Sequence, residues 1–443
     1  MNKTSYLLRA YDLSVPRYTS YPTAPHFTPS YGPEEFAAEL AAIPEADEVS
    51  IYVHMPFCQS LCWYCGCNMK VARNADTMLA YDNAVCREIA LVSARLGRRQ
   101  KASSIHFGGG TPTWGPREGR AAIMSAIREA FSVKADAEIA VEVDPRTLTK
   151  EVAWELAGLG VTRVSLGVQD FDAAVQEAIN RVQPFGVVEH AVSLLRRVGI
   201  EHINLDLMYG LPLQTKDSVD RTVDLAMHLN PQRIALFGYA HVPWMKKHQQ
   251  LLERNPLPTA RERYDLFCTA QKRILARGFV QIGIDHFAAA SDSLARAAAC
   301  GSVARNFQGY TATDSPLILG FGVSAISALP GSYAQNDASL EGYMAAISDG
   351  ELATVRGRNL NADDLRRRAL IMELMCNFAV AVPPDLAEAV APSLSPLLKD
   401  GLCVWENGST LKMTGEGRPW VRVAAACFDA YHQPNASRHA RAV

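Results

Sequence analysis

Four cysteines fall within ten residues, Cys58, Cys62, Cys65 and Cys67. Three of them, spaced CxxxCxxC, occupy a stretch short enough to wrap around one small inorganic centre. Such a loop can give three thiolates to an iron–sulfur cube and leave the fourth iron without a protein ligand. An iron with an open position can bind a substrate. A structural zinc knuckle is the other use of these side chains, but zinc sites favour two separated CxxC or Cys/His halves. Here the cysteines are bunched with no second half.

A centre of this kind needs a rigid base. From about residue 49 to 241 the chain alternates short apolar runs with longer helical patterns, the rhythm of repeated βα units and a parallel sheet. Six strands are predicted: Val49 to Phe57, Ser104 to Gly108, Glu138 to Val143, Arg163 to Val168, His202 to Met208 and Arg233 to Tyr239. Their Val, Ile and Leu content suits strands buried on both faces. Helices are expected over Thr77 to Leu96 and Gly186 to Val198, where apolar residues recur at helical spacing, and over about Thr259 to Arg277. A mixed region follows, ending in the glycine- and serine-rich stretch Gly320 to Ser327. From about residue 360 a helix (Asp363 to Asn377), a turn at Lys399-Asp400-Gly401, two short strands (Leu402 to Glu406, Ser409 to Met413) and a closing helix (Gly415 to Tyr431) are predicted. That order suggests a small, mostly helical, winged-helix-like domain. The expected fold is α/β: a partial (β/α)6 TIM-like barrel of parallel strands over residues 49–355, an N-terminal arm over 1–48 and the small C-terminal domain over 356–443.

The strand ends carry the interest, because ligands of parallel barrels sit at the carboxyl ends of the strands. The first strand runs into the cysteine loop, and the second into Gly108-Gly109-Gly110-Thr111-Pro112-Thr113. The third ends at Glu142 and Asp144, the fourth at Gln169-Asp170, the fifth at Asp206 and the sixth at Tyr239-Ala240-His241. Any one of these has a plain structural reading as well. A glycine run shapes a tight turn, and an acidic residue after a strand caps the next helix.

Bulk properties narrow the field. The 443 residues include 48% hydrophobic side chains and carry a formal net charge of −2, with pI near 6.6. A nucleic-acid partner is not expected from such a balance. Ten cysteines are too sparse for a disulfide scaffold, which points to a reducing compartment and metal ligation. Met1 to Leu13 carries Lys3, Arg9 and Asp12 with no apolar core, so no secretory signal is expected. The nearest apolar run, Leu317 to Leu329, is too short to span a membrane. A cytoplasmic enzyme without membrane insertion is the expectation.

The motifs together are more specific than any one alone. YxHxPFCxxxCxYCGC from Tyr52 to Cys67, GGGTPT at 108 to 113, EVDP at 142 to 145, GVQDF at 167 to 171, DLxYGLP at 206 to 212 and NFQGYT at 306 to 311 resemble the radical S-adenosylmethionine enzymes. Among them the chain is most similar to the oxygen-independent coproporphyrinogen III oxidases. PRYTSYPTA at 16 to 24 and GVSAIS at 322 to 327 extend the likeness along nearly the whole chain. The resemblance implies oxidative decarboxylation of two propionates of coproporphyrinogen III to vinyl groups, giving protoporphyrinogen IX, by hydrogen abstraction with a 5'-deoxyadenosyl radical. It implies a [4Fe-4S] cluster on Cys58, Cys62 and Cys65, with Phe57, Trp63 and Tyr64 keeping water from it. It also implies two S-adenosylmethionine molecules: Tyr52, Gly109, Glu142 and Ile326 near the first, and Tyr64, Gly110, Thr111, Gln169, Arg181, Asp206 and Ala240 near the second.

Candidates for a direct catalytic part are Tyr52, His54 and Cys67. By likeness Cys67 is not a cluster ligand but belongs to the CGC signature of the oxidases, whereas haem-chaperone relatives resemble CxxxCxxCxF; buried filler is its plain alternative. His54 either points at the cluster end or bonds to backbone. A tetracarboxylate substrate needs basic partners, and Arg17 and Arg305 are the candidates, with a solvated surface role as the default. An electron donor and an electron acceptor are required, and the chain is read as a monomer. Two departures from the pattern, a short N-terminal arm and Tyr310-Thr311-Ala312-Thr313 in place of YTT, fall where the chain would close over substrate. A haem-binding chaperone on the same scaffold and a methylating or ring-opening radical enzyme acting on a tetrapyrrole are the competing functions.

Overall fold

The computed structural model describes residues 2–312, 317–433 and 441–442. The six short apolar runs form β1 (Glu48–Met55), β2 (Lys101–Gly109), β3 (Ser132–Val143), β4 (Arg163–Gln169), β5 (His202–Tyr209) and β6 (Arg233–Gly238). They lie side by side in chain order, each neighbouring pair parallel. Val49, Ile51 and Val53 of β1 and Ile203 and Leu205 of β5 are wholly buried, because these alternate residues face the helices packed on the outside of the sheet. The first of these helices, Ala75–Leu96, starts where the Asn74 side chain accepts a hydrogen bond from Thr77 N and stops at the left-handed Gly97. It buries Met78, Tyr81, Val85, Ile89, Val92 and Leu96 as one stripe.

The region after the helix Ala260–Ala276, read from the sequence as mixed, adds six more strands to this sheet. β7 (Phe279–Ile282) and β8 (His286–Ala289) form a hairpin whose second strand runs antiparallel to β6. β9 (Leu317–Phe321) pairs parallel with the free side of β1, and β10 (Ile326–Ala328), β11 (Ser332–Asn336) and β12 (Thr354–Asn359) continue antiparallel from it. The sheet order is β12-β11-β10-β9-β1-β2-β3-β4-β5-β6-β8-β7. Its outer strands β12 and β7 do not pair with each other, so the barrel is partial. These added strands are three to six residues long, and glycines interrupt the apolar run that holds β9.

Beyond β12 the helix Ala362–Asn377, strand Ala379–Ala381, helix Pro384–Lys399 and strands Cys403–Glu406 and Thr410–Met413 give the winged-helix-like order, with the three strands in one antiparallel sheet. The closing helix is shorter than expected. A 3-10 turn over Arg418–Trp420 precedes a helix of only Val421–Ala426, because Gly415, Gly417 and Pro419 do not sustain an earlier start. Two cores result. One surrounds the large sheet. The other joins Leu7, Leu8 and Tyr11 of the N-terminal helix Lys3–Tyr11, and Tyr18 and Tyr21 of the following arm, to Leu374, Trp420 and Phe428 of the C-terminal segment.

Candidate active site

β1 delivers the chain into the cysteine loop, and the glycine turn after β2 fastens its entrance. Gly110 N donates to Met55 O at 2.8 Å, and Thr111 N to Phe57 O at 2.9 Å. A Cβ on Gly110 would lie 2.9 Å from the Phe57 carbonyl oxygen, so only glycine lets the two segments approach this closely. Further along, Asn180 Nδ2 donates to Leu61 O (2.8 Å) and Trp63 N to Ile179 O (3.0 Å). From the opposite side Gln249 Nε2 donates to Tyr64 O (3.0 Å), His248 Nε2 to Cys65 O (2.8 Å) and Lys246 Nζ to Cys67 O (2.8 Å). None of these bonds involves a sulfur.

All four cysteines line one cavity of about 370 Å³. Tyr64, Gly109, Gly110, Thr111, Glu142, Gln169, Arg181, Asp206 and Ala240 line it too, so the strand ends meet in one place, as the parallel register requires. Cys62 is buried, Cys58 and Cys65 are half-buried, and Cys67 is exposed. Burial pushes the Cys58 thiol up to about 11, while a hydrogen bond with Cys67 brings Cys65 down to about 7. Among the described residues no three His, Cys, Asp or Glu side chains converge on a single ion position. A cube takes its thiolates at separate corners, so cysteines spread around one cavity fit it.

Charge is arranged around Cys62. Arg181 Nη1 lies 3.5 Å and Arg146 Nη2 3.7 Å from its sulfur, and both guanidiniums share Asp144, at 3.2 and 2.6 Å. Burial alone would raise the Asp144 carboxyl, but Arg181 and Arg146 hold it below the usual range. Glu142 is also held low: the hydrogen bond from His106 (3.2 Å) and the Gly109 N–H (3.1 Å) outweigh its burial. Asp206 is different. Burial raises its carboxyl to about 7, and among the described residues it has no hydrogen-bond partner. An acceptor left unused in the same cavity as the sulfurs suits the hydroxyls of a ligand. Gln169 stands at φ +69°, where the β4–β5 register slips between Gly167 and Gln169. A bulge of this kind re-aims a side chain.

The remaining candidates separate. Tyr52 and Ile326 line not this cavity but a smaller one of about 160 Å³, with His54, Phe307 and Gln308. Tyr52 connects the two: its ring stacks on His106, which bonds to Glu142. His54 follows its plain reading, with Nε2 donating to Asn68 O (2.8 Å) and Nδ1 accepting from the Tyr52 hydroxyl (3.0 Å). Its ring fills the place of a Cβ on Gly109, so it shapes the turn. Arg17 lines the main cavity and donates to Gly238 O at 2.7 Å. Arg305 does not line it; its Nε and Nη2 donate to Arg17 O. The sequence reading did not assign Arg146 and His106 to the site, and Asp144 appeared only as a strand end. The signal for Asp144 and Arg146, EVDPR at a strand end, says nothing about folding back onto Cys62, and His106 lies inside β2 without a motif of its own.

Comparison with known proteins agrees with this architecture. Residues 52–226 match the radical SAM superfamily. The chain is 44% identical over 438 residues to the oxygen-independent coproporphyrinogen III oxidase of Bradyrhizobium diazoefficiens, covering 97% of each. It is 40% identical over 443 residues to that of Paracoccus denitrificans, covering 98% of each. The solved coproporphyrinogen III oxidase of Escherichia coli, described as a radical SAM enzyme, superposes with a TM-score of 0.89 at 36% identity, covering 95% of this chain and 100% of that one. With a parallel sheet that ends in a cysteine-lined cavity, and likeness along nearly its full length, the chain belongs to the oxygen-independent coproporphyrinogen III oxidase family of radical SAM enzymes.

Proposed function

We propose that the protein converts coproporphyrinogen III to protoporphyrinogen IX without oxygen, turning two propionate side chains into vinyl groups. The observation that carries this is the shared cavity, in which three cysteines of one loop meet a glycine turn and the unpartnered carboxylate of Asp206. When bound, a [4Fe-4S] cluster and S-adenosylmethionine supply one-electron cleavage and a hydrogen-abstracting carbon radical.

The chain's own residues bind and orient. Cys58, Cys62 and Cys65 hold the cluster, and the guanidiniums of Arg146 and Arg181 offset the charge gathered at Cys62. The N–H groups of Gly109, Gly110 and Thr111 are spent on Glu142, Met55 and Phe57, so the turn offers room rather than donors to a methionine group. Asp206 and Glu142 accept from ribose hydroxyls, Gln169 and Arg181 face the carboxylate, and Tyr64 with Ala240 closes the wall. The smaller cavity with Tyr52 and Ile326 supports a separate position for the first S-adenosylmethionine, with Gly109 and Glu142 on the wall of the main cavity, where the second would sit. Cys67 and PRYTSYPTA favour the oxidase over a haem chaperone. An external electron donor and acceptor complete the reaction, and the reading extends to a cytoplasmic monomer. In support of that location, no helix among the described residues is long and apolar enough to cross a membrane.

The test is anaerobic turnover by reconstituted protein with S-adenosylmethionine, a reductant and an electron acceptor. Protoporphyrinogen IX, carbon dioxide, methionine and 5'-deoxyadenosine are the expected products. Binding of haem with no conversion of coproporphyrinogen III, or a methylated or ring-opened product, would overturn the proposal.

A further inference from the structure

A cavity of about 530 Å³, larger than the sulfur-lined one, lies between the Ala304–Asn306 strand, the β9–β10 edge and the C-terminal helix Ala362–Asn377. Its walls are mostly apolar, with Val303, Phe307, Leu329 and Met372, and two arginines reach it, Arg305 and Arg368. Arg305 is only 8% exposed. Its guanidinium stacks on Tyr310 with Cζ 4.3 Å from the ring centre, and Nε and Nη2 are engaged by Arg17 O at 3.3 and 3.1 Å. Its Nη1 is buried with no acceptor among the described residues. A buried charged donor without a partner is rare in native proteins, and Arg305 brings its charge to the wall of this cavity. Arg368 spends Nη2 on Pro330 O at 3.0 Å, which leaves most of its fork of donors for something else. Among the described residues the one acid on the wall, Glu373, is exposed.

We infer that this cavity receives the macrocycle: an apolar ring system with a carboxylate taken by Arg368 and the buried charge of Arg305 behind the wall. The volume falls in the range of sites that bury a drug-sized ligand, roughly 300–1,000 Å³. The position is suitable as well. Phe307 and Ile318 line both this cavity and the smaller one that holds Tyr52 and Ile326, so a ring seated here shares a wall with a cofactor position. Thr19, from the buried arm 16 to 24, closes one side, which gives that motif a use outside cofactor binding. The inference rests on the function proposed above for the identity of the ring; the recognition chemistry is that of an apolar polycarboxylate.

Arg368 and Ala369 are partly exposed on their helix, so substitutions there spare the fold. Coproporphyrin III, the oxidised and fluorescent form that does not react, is titrated anaerobically into the cluster-loaded protein and into the variants R368Q, R368K and A369W. R368Q and A369W are expected to weaken binding about tenfold or more, the loss of one charged hydrogen bond or of ring space, and to raise KM for coproporphyrinogen III. R368K should recover part of the loss. Reductive cleavage of S-adenosylmethionine without tetrapyrrole should stay at the wild-type rate. Wild-type binding and KM in both R368Q and A369W, alongside normal conversion by the wild-type protein, would overturn the cavity assignment alone. A wild-type protein that neither binds coproporphyrin III nor converts coproporphyrinogen III would overturn both the assignment and the function beneath it.

Discussion

On one side of β1, the strands β2 to β6 each follow a helix and each brings a residue of its carboxyl-terminal half to the sulfur-lined cavity: Gly109, Glu142, Gln169, Asp206 and Gly238. On the other side, β9 to β12 turn back on themselves and present Ile318, Ile326 and Leu329 to the two further cavities. Parallel connection brings every carboxyl end to the same rim, so small polar groups far apart in sequence gather at one point. Antiparallel connection builds walls instead. The helix Ala75–Leu96 spans the difference. Its Tyr81 hydroxyl donates to His54 O (2.6 Å) and accepts from Val323 N (3.0 Å), while Glu88 takes bonds from Gly322 N (2.7 Å), the Tyr343 hydroxyl (2.7 Å) and Asn336 Nδ2 (2.5 Å).

If the division is right, damage on the parallel side should abolish chemistry and damage at the pin should loosen the molecule. Replacing Cys62 by Ala should remove iron and turnover together, read by iron content and 5'-deoxyadenosine release; an iron-free variant at full rate would end the comparison. Glu88→Ala strands three buried donors and should destabilise the fold by roughly 3 kcal/mol in chemical denaturation. Burial lifts the Glu88 carboxyl from 4.5 to about 7 against those three bonds. The folded protein therefore holds the extra proton between these values, and this contribution makes stability fall as pH climbs through that window. Glu88→Gln should flatten the slope, and an unchanged slope would show that the group is not responsible.

A smaller effect is expected at Asp206, where Asn should weaken S-adenosylmethionine binding about tenfold, the worth of one charged hydrogen bond. Since burial places that carboxyl at about 7, its ionised form grows as pH rises. Calorimetric affinity should tighten from about pH 6 to about pH 8 in the parent and stay level in the variant. Least of all, Lys246→Ala removes a bond to Cys67 O that water can replace, and stability should move by no more than about 0.5 kcal/mol.

The parallel side was legible because a strand buried on both faces is a run of Val, Ile and Leu bounded by turn residues, and the motifs sit on those boundaries. The antiparallel side was not. A five-residue strand such as Leu317–Phe321 with Gly320 inside it has no periodicity to read. Gly320 is there because a Cβ would meet the Ile326 backbone at 2.6 Å, a contact invisible before the strands pair. The helix Pro384–Lys399 escaped notice for another reason, since Pro392 and Pro396 inside it read as breakers. At the site, the motifs named most of the residues that line the cavity, while the placement of Arg146 on Cys62 and of Tyr52 in a separate cavity depends on side-chain direction that spacing does not encode.

The bonds that hold the cysteine loop, from Asn180, Lys246, His248 and Gln249, grip main-chain oxygens and leave the thiols out. Small zinc domains collapse when stripped because the metal is their fold. Here the cradle stands on its own fastenings, so circular dichroism should barely change when a chelator empties it. Air exposure would then cost a cell its iron and sulfide but not the polypeptide, and repair machinery could restock the same molecule once oxygen has gone.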